Sequence, residues 1–172
     1  MQRTSFGDMQ CSVARTLEIV GEWWTPLVLR DIALGISRFD AIQRNLGLSR
    51  KVLTQRLQTL VDNEIVQRVA YQDNPPRYDY FLTEKGADLA MVLVAIQQFG
   101  DKWIFDEPPL QWRHLACGEI SRPVTCCEHC GQEVHPGDAV PLVGPGFSPD
   151  GSLPELPSAI ARMQELLAPA GS

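Results

Sequence analysis

Long hydrophobic runs are missing from this 172-residue chain, and no stretch reaches the roughly 18 consecutive apolar residues of a membrane-spanning helix. The N-terminus, Met1-Gln2-Arg3-Thr4-Ser5-Phe6-Gly7-Asp8, lacks the apolar core of a secretory signal. Cysteine is scarce and odd in number, five in all, which argues against a secreted disulfide framework and for a reducing interior. Positive charge is also short: 15 Lys and Arg face 21 Asp and Glu, a net charge of −6. With 44% hydrophobic and 21% charged residues, a packed core is available and global disorder is excluded. The expectation is a soluble cytoplasmic protein with one compact domain and an appendage.

The acidic total hides an uneven distribution. Residues 1–100 hold eleven basic and eleven acidic side chains, whereas residues 101–172 hold four and ten. Within the first part, residues 37–60 carry Arg38, Arg44, Arg50, Lys51 and Arg56 against Asp40 alone. Salt screens charges beyond about 8–10 Å, so local charge governs attraction to phosphate. The net charge therefore leaves DNA open as a partner.

Ser12 can cap a first helix with Val13, Leu17, Val20 and Trp24 on one face, widened by Ile19 and Trp23. Thr25-Pro26 has the form of an N-cap followed by proline at the first helical position, predicting a second helix from about Pro26 to Leu34. Ser37-x-x-Asp40 resembles a capping box and opens a short helix, Phe39 to Asn45, ended by Gly47. Ser49 can cap a fourth helix through Asp62. Leu53, Leu57, Leu60 and Val61 share one face of it, while Lys51, Gln55 and Gln58 point the other way with Thr54 at the flank.

Ile65 to Tyr71 and Arg77 to Leu82 have strand character around the breaker Asp73-Asn74-Pro75-Pro76, which predicts a hairpin carrying Arg68 and Arg77. Thr83 can cap a long helix to about Phe105, whose apolar positions Leu89, Val92, Leu93, Val94, Ile96, Phe99 and Trp103 cover more than one face. Such a helix needs a second burial surface, and a partner subunit supplies one.

Short helix, glycine turn, polar-faced helix and hairpin, in that order, form the layout of a winged helix-turn-helix. The fold class expected is mainly α with a small β-hairpin wing (α+β). Arg and Lys can donate to guanine, Gln can pair with adenine, and hydroxyls can serve phosphate or base. Lys51, Gln55 and Gln58 are assigned to base edges. Ser49, Arg50, Thr54, Arg56 and Arg77 are assigned to the phosphate backbone or wing contacts, with base readout also open to Arg50. Arg38 and Arg44 are weaker candidates, and Arg30 can pair with Asp31 or a core carboxylate. The competing reading is a merely solvated helix face, which the flanking turn and hairpin make less economical.

Ordered motifs run through residues 11–104: Cys11-Ser12-Val13-Ala14, Gly21-Glu22-Trp23-Trp24-Thr25, Leu29-Arg30-Asp31, Arg38-Phe39, Ser49 to Leu57, Pro75-Pro76-Arg77-Tyr78 and Leu82-Thr83-Glu84-Lys85-Gly86. In these the chain resembles the HxlR family of bacterial winged-helix regulators. The resemblance implies a homodimer on a roughly palindromic operator, with the terminal helices of the domain forming the dimer interface. The family usually carries proline after the N-terminal cysteine, where Ser12 stands here. In some similar proteins that cysteine senses oxidants or electrophiles. Cys11 is thus a redox candidate, set against a small, partly buried interface residue; the absence of a basic neighbour in sequence favours the latter. Trp23, Trp24 and the last helix of the domain could line a pocket for a small-molecule effector, although core packing is the reading favoured for the tryptophans.

Beyond residue 105, His114-x-x-Cys117-Gly118 and Cys127-x-x-Cys130-Gly131 are spaced like metal knuckles. A structural zinc ion on His114, Cys117, Cys127 and Cys130 would staple a ribbon too short to bury its own core. Cys126, His129 and His135 are spare candidates, and Cys126 could replace Cys127. A metal-free hairpin, a disulfide and a Cys/His catalytic pair compete with zinc. Catalysis through Cys126, Cys127 or Cys130 ranks last, because neither an oxyanion-hole motif nor paired carboxylates accompany the thiols; the chain is expected not to be an enzyme. A zinc-stapled protein-interaction module is the alternative to DNA binding. The expected divisions are 8–105 for the winged helix, 106–140 for a zinc-ribbon-like extension and 141–172 for a Pro/Gly-rich tail. That tail is expected to be extended or mobile, with a short helix from Ser158 to Leu167 turning Ile160, Met163, Leu166 and Leu167 inward.

Overall fold

The computed structural model describes residues 5–148 and 153–167, the side chains of Leu166 and Leu167 excepted. The expected inward turn of those two leucines therefore lies outside the described residues. The elements are α1 (Ser12–Val20), α2 (Trp24–Ala33), α3 (Phe39–Leu46), α4 (Arg50–Asp62), β1 (Val66–Asp73), β2 (Pro76–Leu82), α5 (Glu84–Trp103) and α6 (Leu156–Leu167). Two units result. One is Thr16–Leu110; in the other, the residues before Thr16 join those after Leu110.

In the unit Thr16–Leu110, helices surround a two-stranded antiparallel hairpin, the winged helix-turn-helix arrangement. Its core is built from Val28, Leu29 and Ile32 of α2, Ile42 of α3, Leu48 in the turn between α3 and α4, Leu53, Leu57 and Leu60 of α4, and Ile65 and Val66. Each side chain of this size removed from water stabilises the fold by about 1.5–3 kcal/mol. The leucine spacing of α4 sets that helix against the core and fixes which face remains outside.

Two helix starts differ from the sequence expectation. Helix α2 begins at Trp24, before the predicted Thr25-Pro26 cap, and Trp23 caps it without a side-chain hydrogen bond. Thr25 is buried, and its hydroxyl has no hydrogen-bond partner among the described residues. Ser37 does not cap α3, where Arg38 holds the cap position without a side-chain bond. The Ser37 hydroxyl donates instead to Asp79 Oδ1 at 3.0 Å. Gly47 ends α3 in the left-handed region at φ 65°, as a glycine C-cap does.

A buried acid ties the first helices together. Asp31 is fully buried and accepts from Arg30 Nη2 at 2.7 Å and from Asn45 Nδ2 at 2.7 Å. The open choice for Arg30 resolves to Asp31. Pairing and hydrogen bonding are what make a carboxylate tolerable in such a place.

The hairpin pairs Val66 with Leu82 and runs to Asp73 opposite Pro76, with a register shift between Ala70 and Gln72. Thr83 caps α5 by accepting from the Gly86 N–H at 3.1 Å, and its own hydroxyl donates to Glu64 O at 2.6 Å. Gly86 is buried against the Ile65 carbonyl, where a Cβ would collide with backbone. A glycine is needed there for closeness rather than for dihedral freedom.

In the other unit, α6 begins two residues ahead of the expected Ser158. Ile160 is buried, whereas Met163, expected inward, is 42% exposed.

Candidate nucleic-acid interface

Helix α4 owes its orientation to amphipathicity. Ser49 caps it, accepting from Val52 N–H at 3.3 Å, and Leu53, Leu57 and Leu60 are buried beneath it. Lys51, Thr54, Gln55 and Gln58 are exposed on the opposite side. With Arg50, Thr59 and Asp62 they line one shallow groove on the helix. The Gln58 amide nitrogen donates to Asp62 Oδ1 at 2.6 Å, and the Thr59 hydroxyl donates to the Gln55 carbonyl.

Arg50 lies across the start of α3, 4.8 Å over the Phe39 ring and 3.6 Å from Asp40 Oδ1. It stays largely exposed and also borders a second concavity with Tyr71, Arg77 and Tyr78. Arg77 is exposed at the hairpin tip opposite Gln72. Arg56 differs from the expectation of phosphate contact. Its side chain is only 12% exposed and pairs with Glu22 Oε2 at 3.6 Å, so it braces α4 against the turn before α2.

The wing is anchored to the start of α3. Tyr80 N–H donates to Ser37 O at 2.9 Å, Arg38 Nε lies 3.5 Å from Asp79 Oδ1, and the Arg38 guanidinium covers the Tyr71 ring at 4.8 Å. Arg68 stacks on Tyr78 at 5.0 Å. Burial pushes the Tyr80 phenol above its ordinary range; Arg68 opposes that shift and Tyr78 adds to it. Arg38 is thereby a wing-docking residue, and Arg44 is exposed on α3.

The expected core role of the tryptophans is not met: Trp23 is 89% exposed and Trp24 is 41% exposed. Cys11 is half-buried immediately before α1, where its carbonyl accepts from Arg15 N–H.

In the extension, His114–Gly118 and Cys127–Gly131 each close a backbone turn, and among the described residues no three His, Cys, Asp or Glu side chains stand close enough to share a metal ion. The expected set of His114, Cys117, Cys127 and Cys130 is thus present as two separate pairs, without His129 or His135 completing either. The Cys127 thiol is lowered from its ordinary range by the backbone N–H of Cys130, then that of His129, then the Cys130 side chain.

Residues 19–108 match the family described as HxlR-like helix-turn-helix. The chain belongs to that family. The uncharacterized HTH-type transcriptional regulator Rv3095 of Mycobacterium tuberculosis is 44% identical over 138 residues, 79% of this chain and 87% of that protein. The crystal structure of PA1607, a candidate transcription factor, is 31% identical and superposes with a TM-score of 0.69, over 83% of this chain and 99% of that one. A second candidate transcription factor, PA1374 from Pseudomonas aeruginosa, is 34% identical with a TM-score of 0.57, over 80% and 95% of the two chains. Members of the family are described as regulators of transcription, not as enzymes, and this chain is a helix-turn-helix regulator. Among the described residues no helix is long and apolar enough to cross a membrane.

Proposed function

We propose that this chain is a cytoplasmic, sequence-specific regulator that binds a roughly palindromic operator in double-stranded DNA as a homodimer, with α4 in the major groove. One observation carries the reading. The face of α4 bearing Lys51, Thr54, Gln55 and Gln58 is exposed while its opposite face is locked into the core. These are the side-chain types that read base edges, Lys toward guanine and Gln toward adenine. Gln58 would exchange its bond to Asp62 for a base. Ser49 and Arg50 at the start of α4, with Arg77 on the wing, are assigned to phosphate. Arg56 supports the helix and leaves the contact set.

The homodimer is supported by an apolar stripe on α5. Val92, Ile96, Phe99 and Trp103 follow one another at helical spacing, and Phe99 and Trp103 are 64% and 67% exposed. Val13 and Leu17 of α1 are exposed as well. Contiguous apolar surface of this kind marks an interaction site. A two-fold dimer sets its half-sites about 34 Å apart or a multiple of that. Cys11 is assigned to packing, half-buried at the start of α1.

The test is binding of the full chain to an operator selected from a random duplex library. Lys51→Ala and Gln55→Ala should each weaken it by about 5- to 150-fold, corresponding to about 1–3 kcal/mol per lost base contact. Wild-type affinity should fall steeply with salt, as counterion release requires. Unaltered affinity in both variants would show that α4 does not face the bases, and salt-insensitive binding would favour the protein-interaction module.

A further inference from the structure

We propose that His114, Cys117, Cys127 and Cys130 together hold one zinc ion in a closed tetrahedral site that fastens residues 112–134 into a ribbon. The carrying observation is a backbone repeat offset by thirteen residues. Trp112 O accepts from Ser121 N–H at 3.0 Å, as Thr125 O does from Val134 N–H at 2.8 Å. Arg113 bridges Ile120, as Cys126 bridges Glu133. His114 N–H donates to Glu119 O at 2.9 Å, and Cys127 N–H donates to Gln132 O at the same distance. Gly118 N–H closes on His114 O, and Gly131 N–H closes on Cys127 O, both at 2.8 Å. The two glycines are left-handed, at φ 78° and 72°.

Each of these backbone hydrogen bonds of one turn has its counterpart in the other. The repeat therefore sets His114 equivalent to Cys127 and Cys117 equivalent to Cys130. It also decides between the adjacent thiols. Cys126 occupies the bridge with Glu133, the position of Arg113 in the first turn, whereas Cys127 occupies the knuckle.

Donor geometry within a knuckle agrees with the assignment. His114 Nδ1 lies 3.2 Å from Cys117 Sγ. Tetrahedral bonds of about 2.0 Å to nitrogen and 2.3 Å to sulfur place such a pair about 3.5 Å apart.

The ribbon also needs what an ion supplies. None of residues 111–135 is buried, and only Pro123, Cys127 and Val134 are half-buried. Two hydrogen-bonded turns without a core gain little from apolar burial, so metal-binding free energy takes its place. The ion draws the two preformed pairs together. With three thiolates and an imidazole it has no open position, so its role is structural.

The experiment is zinc analysis of the full chain purified without chelator, followed by cobalt(II) loading. One zinc per chain is expected, together with the thiolate-to-cobalt absorption of a tetrahedral site. Cys117→Ser, Cys127→Ser and Cys130→Ser should each lose most of the metal, whereas Cys126→Ser and His114→Cys should keep it. The helical circular dichroism of each variant, dominated by the unit Thr16–Leu110, shows that the chain has folded. Trace zinc with no cobalt spectrum overturns the site, and equal metal loss in Cys126→Ser and Cys127→Ser overturns the ligand set. Neither outcome bears on DNA binding by α4.

Discussion

Gly86→Ala should destabilise the winged-helix unit, although alanine is the better helix former. The position lies in the first turn of α5, buried against the Ile65 carbonyl just before β1. An added Cβ would lie 3.1 Å from the Ile65 carbonyl carbon and closer still to its oxygen. Both obstacles are backbone, so α5 must retreat by about an ångström to regain ordinary contact. The retreat strains the bonds that seat the helix: Gly86 N–H to Thr83 Oγ1 at 3.1 Å, and Thr83 N–H to Ile65 O at 3.1 Å.

Overpacking of this kind costs about 1–3 kcal/mol, and a weakened cap about 1 kcal/mol more. Helix propensity returns at most about 1 kcal/mol. The net loss is about 2 kcal/mol, or roughly 10 °C in melting temperature for a domain of this size. Urea unfolding followed by circular dichroism at fixed protein concentration measures it. Ala87→Gly, at the exposed neighbouring position, isolates the propensity term and should cost about 1 kcal/mol. A Gly86→Ala protein as stable as wild type, or more stable, would refute the close approach of α5 to Ile65.

Two further substitutions address the rest of the fold and the assembly. Asn45→Ala leaves one oxygen of the buried Asp31 without its 2.7 Å donor and should cost about 1.5–3 kcal/mol in the same urea assay; a change near zero would mean that water or Arg30 compensates fully. Phe99→Asp puts a charge into the exposed stripe of α5 and should convert the proposed homodimer to monomer in sedimentation equilibrium, with operator binding weakened alongside. An unchanged dimer would move the interface elsewhere.

The sequence made the interior of the winged-helix unit legible because short-range rules govern it. Ser49 and Thr83 cap the helices they were expected to cap, and the leucine spacing of α4 selects its buried side. Other side chains are directed by partners far along the chain, or left outside for reasons that spacing does not carry. Ser37 carries a capping pattern, but Asp79, 42 residues away, takes its hydroxyl. Arg56 lies at the flank of the α4 wheel, where a long side chain can turn either way, and Glu22 decides the direction. The tryptophans have the apolar character of core residues, yet Trp23 is left outside. Spacing alone could not choose between Cys126 and Cys127; the proposed site prefers Cys127 on the backbone repeat.

Those long-range bonds bear on how a duplex could be read. Ser37, Arg38, Asp79 and Tyr80 join the wing to the start of α3 through two hydrogen bonds and an ion pair. Arg50 reaches from α4 onto Phe39 and Asp40 of that same turn. Wing and α4 are thereby fixed to a common support, and Arg77 keeps a set position relative to Lys51 and Gln55. Base and backbone contacts made by parts held at fixed spacing are mutually dependent, since phosphate contacts set the register in which side chains meet base edges. Loosening the wing at Asp79 would therefore be felt at the bases, far from any atom that touches them.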